Sequence, residues 1–351
     1  MESIIFSPYR IYSDRKMNRL FLQIWLLLTM LLSACSSTAP TLPDSVVQPQ
    51  PVTPQTPYPY YSENDNGVFQ KPAELRPAVE FWRKTYVNWR RSQVAFHDDR
   101  YMDVIYEVMQ LPGNVGESLT SDQKEIVRQR RDYWKSQLVM LDNKVRYNMQ
   151  LTQTDQEIID KLSANGRSLN TVLMGAAERV RSQRGTRERF IRGLEISRRY
   201  DSHFRKIFRE HGLPEDLAFL PHVESSFQPS AKSSAGAVGM WQFTKGAAKV
   251  FMPEGDKVDQ RLDPYASALG AARYLKHAYG KLHDWPAAIT SYNHGIGGMQ
   301  RAQNQVGRDF VRIVDLYNSP TFGFASRNYY AQFLAARDIA SNPNQYLQEG
   351  G

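Results

Sequence analysis

The sequence predicts an all-α protein. From residue 73 onward, apolar and aromatic residues recur at helical spacing, and no stretch holds the sustained alternation of a half-buried strand. Pro, Gly and short capping residues break the chain into runs of helical length. The chain has 351 residues, 41% hydrophobic and 12% aromatic, enough for a sizeable core and two folded units. Cys35 is the single cysteine, which excludes an internal disulfide framework. A net charge of +8 points to a polyanionic partner: nucleic acid, a membrane surface or a carboxylate-rich cell-wall polymer.

The first segment narrows that choice. Arg15, Lys16 and Arg19 precede an apolar run from Leu20 to Leu32, shorter than the roughly 20 residues a membrane-spanning helix needs. A basic start, a short apolar run and small residues behind it describe a secretory signal, with Met17 as an alternative start. A secreted protein is not expected to meet nucleic acid. Leu32-Ser33-Ala34-Cys35 resembles the lipobox of bacterial lipoproteins. That resemblance implies cleavage of residues 1–34, lipidation of Cys35 and, with Ser36 next, sorting to the outer membrane on its periplasmic face. Several acyl chains hold a protein to a membrane where one does not.

Residues 35–72 read as a tether. Pro40, Pro43, Pro49, Pro51, Pro54, Pro57 and Pro59 leave too few apolar residues to offset the entropy of ordering.

Residues 73–200 read as an N-terminal helical domain. Phe81, Trp82, Tyr86, Trp89 and Phe96 predict a first helix, which Tyr101, Ile105, Val108 and Met109 continue to the break at Pro112-Gly113. Ser121 to about Leu151 predicts a second. Thr154 with Glu157 reads as a capping box opening a third, ending near Asn165-Gly166. Ser168 opens a fourth that runs towards Arg184-Gly185, and Thr186 caps a fifth. Between Glu178 and Glu210 stand eleven Lys or Arg against five Asp or Glu, read as a solvated helix face with i,i+4 pairs.

Residues 201–346 form the second unit. His203 to His211 is helical, closed by Gly212. Pro214 then opens a helix at its favoured first position, with Glu215 and Asp216 near the positive dipole end. On that helix Leu217, Leu220 and Glu224 fall on one stripe, which places a carboxyl on a core-facing side. Lost hydration would raise its pKa and keep it protonated, the property of a general acid. A structural Glu paired with Arg or His is the competing reading. From Ser225 to Pro253 there is no acidic residue. Most glycoside hydrolases need two carboxylates, so local sequence offers one, with Asp256, Asp259 and Asp263 open as partners through the fold. The seven histidines show no metal-ligand spacing and no Gly-rich phosphate loop appears, so neither metal nor cofactor is expected.

Four motifs carry a family resemblance: Glu224-Ser225-Ser226-Phe227, then Ser233 through Phe243, then Arg261-Leu262-Asp263-Pro264, then Ser291-Tyr292-Asn293-His294-Gly295. In this order and spacing they resemble the lytic murein transglycosylases, whose catalytic domain has a goose-lysozyme-like fold. Gln93 to Tyr106 and Gln183-Arg184-Gly185 look most like the membrane-bound D type. Members of that type commonly carry LysM repeats, which are not expected here because the chain ends soon after Tyr346.

The resemblance implies cleavage of peptidoglycan between N-acetylmuramic acid and N-acetylglucosamine, with Glu224 as single acid and base and 1,6-anhydro ends as product. It implies that Tyr292 hydrogen-bonds the catalytic carboxyl and Asn293 contacts saccharide. Gln242 would line the cleft, Trp241 would lie under a sugar ring, and Ser233 would contact substrate. Ser225 would orient the acid. Tyr329, with Tyr330 as the adjacent alternative, would close over the site. Ser291 replaces the family's usual alanine. A lysozyme-type hydrolase on the same fold, or a non-catalytic glycan-binding lipoprotein, are the alternatives.

Overall fold

The computed structural model describes residues 68–252 and 259–348. Cys35, the signal, nearly all of the tether and Asp256 lie outside the described residues. The helices are α1 (Arg76–Arg83), α2 (Ser121–Arg146), α3 (Gln153–Ser163), α4 (Leu169–Leu173), α5 (Arg187–Ser197), α6 (Asp201–Glu210) and α7 (Leu220–Glu224). They continue as α8 (Lys245–Phe251), α9 (Pro264–Leu282), α10 (Trp285–His294), α11 (Ile296–Val306), α12 (Phe310–Leu316), α13 (Phe324–Ser341) and α14 (Pro343–Gln348). No helix among the described residues is long and apolar enough to cross a membrane.

The helical class holds, with one correction. Residues 93–98 (β1), 105–110 (β2) and 180–184 (β3) form an antiparallel sheet in the order β2-β1-β3. β1 was expected as helix because it lacks alternation: Val94 through Asp98 are all buried. A strand covered on both faces carries no alternating signal. Val94 and Phe96 face one apolar cluster, while Ala95 faces another and the His97 ring lies 4.3 Å from Phe81. β3 hid for a different reason, since Val180-Arg181-Ser182-Gln183-Arg184 is mostly polar. The fourth helix accordingly stops at Leu173.

Two further readings shift. The capping box of α3 is Thr152 with Asp155, not Thr154 with Glu157. The basic stretch 178–210 is not mainly a solvated face. Arg205–Asp201 and Lys206–Glu210 are i,i+4 pairs. Arg179 and Arg181 instead pair with Asp98 and Asp99 across the sheet, Arg209 pairs with Glu215, and Arg187 donates to the Val87 carbonyl.

The larger apolar cluster joins residues 69–89 to residues from Phe190 onward. The boundary expected at 200 falls inside it. Phe69 sits between Trp285 and Phe333, at 5.9 and 5.2 Å, and the Trp82 indole donates to Asn328 on α13.

Candidate active site

Glu224 ends α7, a short helix set on a 3-10 turn at Glu215–Phe219. Leu217 and Leu220 are fully buried, but so is every residue from Leu217 to Val223, and the expected single helix from Pro214 is a 3-10 turn followed by α7, so no stripe sets Glu224 apart. Glu224 is largely enclosed but keeps an open edge. Burial pushes its pKa up to about 7, opposed by a hydrogen bond that the Tyr329 hydroxyl donates to Oε1. No neighbouring charge contributes to that shift. Asp259 is paired with Arg261, and Asp263 caps α9.

The expected partner of the carboxyl is corrected. Tyr292 donates its hydroxyl to the Trp241 carbonyl at 2.9 Å, and Tyr329 makes the bond to Glu224. The reason lies in the helices: α13 packs on α7 and presents Tyr329, buried, straight to the acid. Tyr330, its neighbour, turns away and donates to the Gln70 carbonyl. The charge of Glu224 still reaches Tyr292 and Tyr329, and with burial it holds both phenols well above their ordinary range.

After Glu224 the chain turns sharply, with Ser226 and Phe227 both in the left-handed region at φ 51° and 57°. Two consecutive non-glycine residues there mark local strain held by the surroundings. Ser225 holds part of it. Its buried hydroxyl donates to the Met240 carbonyl at 2.7 Å, which ties the acid to the following loop. The Ser225 hydroxyl is thus buried and committed to backbone carbonyls.

The loop from Ser233 to Phe243 is braced from within. Ser233 Oγ accepts from the Ala237 amide. Gln242, at φ 50° and buried, spends its amide nitrogen on the Gly239 and Ala231 carbonyls. Arg261, also buried, clamps the loop through the Gly236 and Phe243 carbonyls. Gly239 stands at φ 82°, and a Cβ there would lie 1.9 Å from the Arg261 carbonyl oxygen. That accounts for the glycine and for the spacing to Arg261-Leu262-Asp263-Pro264.

Trp241 is another correction. Its ring is 0% exposed and packs on Phe204 and Phe208 at 5.2 and 5.7 Å, so no face remains for a sugar. Its apolar area is worth more in the core than at the surface. Asn293 stands one residue before the end of α10, and its Nδ2 is buried. Its Oδ1 accepts from Ser326 at 2.7 Å, and its Nδ2 has no partner.

Sequence reasoning missed two residues at the site. Arg189 on α5 donates to the Ser225 carbonyl. Tyr86 lies close enough for the Glu224 charge to raise its phenol further above the ordinary range. Tyr86 stood in a helical aromatic stripe, which marks core and gives no hint of a carboxyl nearby. Among the described residues, no group of three or more His, Cys, Asp or Glu could hold a metal ion.

The site is thus a largely enclosed carboxyl of raised pKa, bonded to a phenol at the end of a short helix. Residues 204–310 match the family model described as Transglycosylase SLT domain. The chain is 27% identical over 140 residues to membrane-bound lytic murein transglycosylase D of Escherichia coli (strain K12), covering 39% of this chain and 30% of that protein. It is 36% identical over 125 residues to membrane-bound lytic murein transglycosylase F 2 of Alkalilimnicola ehrlichii, covering 33% and 26%. It is 33% identical over 142 residues to peptidoglycan transglycosylase gp16 of Escherichia phage T7, covering 35% and 11%. The matches span less than a third of the length of each of these relatives.

Proposed function

We propose that this chain is a peptidoglycan lytic transglycosylase in which Glu224 acts first as acid and then as base. The observation that carries the reading is the Glu224 carboxyl, held near pKa 7 by burial and bonded to Tyr329. A carboxyl poised there gives up a proton at neutral pH and takes it back.

In the proposed reaction Glu224 protonates the oxygen between N-acetylmuramic acid and N-acetylglucosamine, and the C1–O bond breaks. The N-acetyl oxygen of the substrate stabilises the cation at C1. The C6 hydroxyl of the same sugar attacks C1 and returns its proton to Glu224, which closes the 1,6-anhydro ring. The nucleophile is already in place within the substrate, so no water needs activation and one carboxyl suffices. Tyr329 lends a hydrogen bond to the anion in between. Asn293, Ser233 and Tyr292 are proposed to frame the cleft. Ser225 and Gln242 hold the loop that shapes it. The proposed organisation is a signal over 1–34, a lipidated Cys35, a tether to residue 72, an N-terminal unit over 73–200 and a catalytic unit over 201–346. The proposed location is the periplasmic face of the outer membrane.

Digestion of purified peptidoglycan with mass spectrometry of the products tests the reading. Anhydromuramoyl ends are expected, and Glu224→Gln is expected to lose about 10²–10⁴-fold or more in rate. Reducing muramic acid ends alone would overturn the transglycosylase reading, and an undiminished Glu224→Gln would overturn the role of Glu224.

A further inference from the structure

The turn that follows α1, Lys84–Asn88, is a π-helical turn. Such turns are uncommon and gather at functional sites. This one is clamped from outside. The Thr186 amide and hydroxyl both reach the Thr85 carbonyl, and Arg187 Nε reaches the Val87 carbonyl. Gly185, the last residue of the Gln183-Arg184-Gly185 motif, lies flat against the same backbone. A Cβ on it would come within 2.3 Å of the Trp89 carbonyl oxygen. The motif thus fixes where this turn sits.

What the turn carries inward is Tyr86. Its ring is 4% exposed and stacks on Phe190 at 4.6 Å, with the rings tilted 16° apart. Phe190 in turn rests on His222, two residues before Glu224, at 5.1 Å. On the other flank the Trp82 indole bonds Asn328, the neighbour of Tyr329. Tyr86 is therefore placed between the helix that bears the acid and the helix that bears its phenol partner. Its hydroxyl is buried and has no hydrogen-bond partner. A buried hydroxyl left unpaired in the resting protein costs free energy and calls for an explanation.

The geometry points to Tyr86 as a positioning residue for the acid: its hydroxyl donates a hydrogen bond to Glu224 once the carboxyl has given up its proton. While Glu224 is protonated, one oxygen accepts from Tyr329 and the second bears a proton. When the proton leaves, a lone pair opens, and the buried, unpaired Tyr86 phenol is a donor with no other partner to give up. No proton passes to or from Tyr86. The inference rests on the reading of Glu224 as the acid and base. It gives the N-terminal unit a part in the chemistry, because that unit supplies the second phenol.

Tyr329 from α13 bonds Glu224, and Tyr292 from α10 and Tyr86 from the π-helical turn lie within reach of its charge. Tyr274 from α9 stands behind Tyr292 at 5.2 Å, and Arg189 from α5 reaches only the Ser225 carbonyl. His222, on the same helix as the acid, is enclosed by aromatic rings. Burial pushes it down to about 3, so it stays neutral over the range tested.

Tyr86→Phe tests the inference without a change of shape. Removing an unpaired buried hydroxyl is expected to leave the melting temperature unchanged or slightly raised. The carboxyl of Glu224 can be titrated by carbon NMR on the full chain, its signal assigned by its loss in Glu224→Gln. The Tyr86→Phe variant is expected to titrate about one pH unit higher, the size of one lost hydrogen bond to an anion. The alkaline limb of the rate of peptidoglycan cleavage is expected to move up by the same amount. An unshifted Glu224 titration overturns the role of Tyr86, as does a rate loss that is equal at every pH. The titration needs no turnover, so it decides on Tyr86 even if peptidoglycan proves not to be the substrate.

Discussion

An unfolded Glu224 titrates near 4.5, whereas the folded one titrates at about 7. Between those values the folded protein holds a proton that the unfolded chain has lost. Stability that is complete below about pH 4.5 therefore declines as pH rises towards 7. Glutamine accepts from Tyr329 as the acid does but does not titrate. Glu224→Gln is expected to match the wild type in denaturant unfolding at pH 4. At pH 8 it is expected to be more stable by up to about 3 kcal/mol. A variant less stable than wild type at pH 8 would show that ionised Glu224 is better solvated than its enclosure implies. The same residue that serves the proposed chemistry thus weakens the fold at neutral pH.

Single residues also decide whether whole elements hold. Asp98, at the end of β1, is 0% exposed on its side chain and binds Arg179 at 2.9 Å. It also accepts from the Arg100 and Tyr101 amides at 2.8 and 2.9 Å. Burial raises its pKa, and Arg179 and the two amides hold it back. His97-Asp98-Asp99-Arg100-Tyr101, which the sequence associates with a family, is thus the corner of a sheet. Asp98→Ala leaves the Arg179 Nε and two amides without their acceptor, although Arg179 still reaches the Met174 and Val172 carbonyls. It is expected to cost about 3–5 kcal/mol in denaturant unfolding, while Asp98→Asn, which keeps an acceptor, is expected to cost less. Gly239 decides the loop in the same way. With φ at 82° and the Arg261 carbonyl where a Cβ would go, Gly239→Ala is expected to lower stability by more than about 2 kcal/mol. Circular dichroism melts of the purified variant check this.

At the scale of the molecule, α13 runs through the core, and residues 69–89 cover one side of it. Phe69 against Phe333, Trp82 on Asn328, the Tyr330 hydroxyl on the Gln70 carbonyl and Lys71 against Asp338 all join the two. A fragment of residues 201–346 would expose that side of α13, including the surroundings of Tyr329. It is expected to unfold without a sharp transition and to bind a hydrophobic dye, read by calorimetry and fluorescence. A fragment that melts cooperatively near the full-length temperature would overturn this account of the fold.

Much of the site was legible because chemistry leaves residue types in fixed places. Glu224 stood out by its place at the head of the first of four ordered motifs, whereas the helical spacing from Leu217 did not carry over, since the segment passes from a 3-10 turn into α7. Asp263 and Asp284 cap α9 and α10, each with Pro in the first turn, a local bond between a side chain and the next turn. Burial of Phe227, Met240 and Trp285 could be foreseen from size and apolarity alone. The tertiary structure alone decided what faces what. β1 read as helix because both its faces are buried, and burial on both faces erases the alternation that reveals a strand. Trp241 went to the core and not to the cleft, because the orientation of a loop residue depends on what packs behind the loop. Tyr329 and not Tyr292 took the acid, and Tyr86 arrived from more than a hundred residues away. Those choices rest on helices meeting across the fold, and spacing along a chain carries no record of which helices meet.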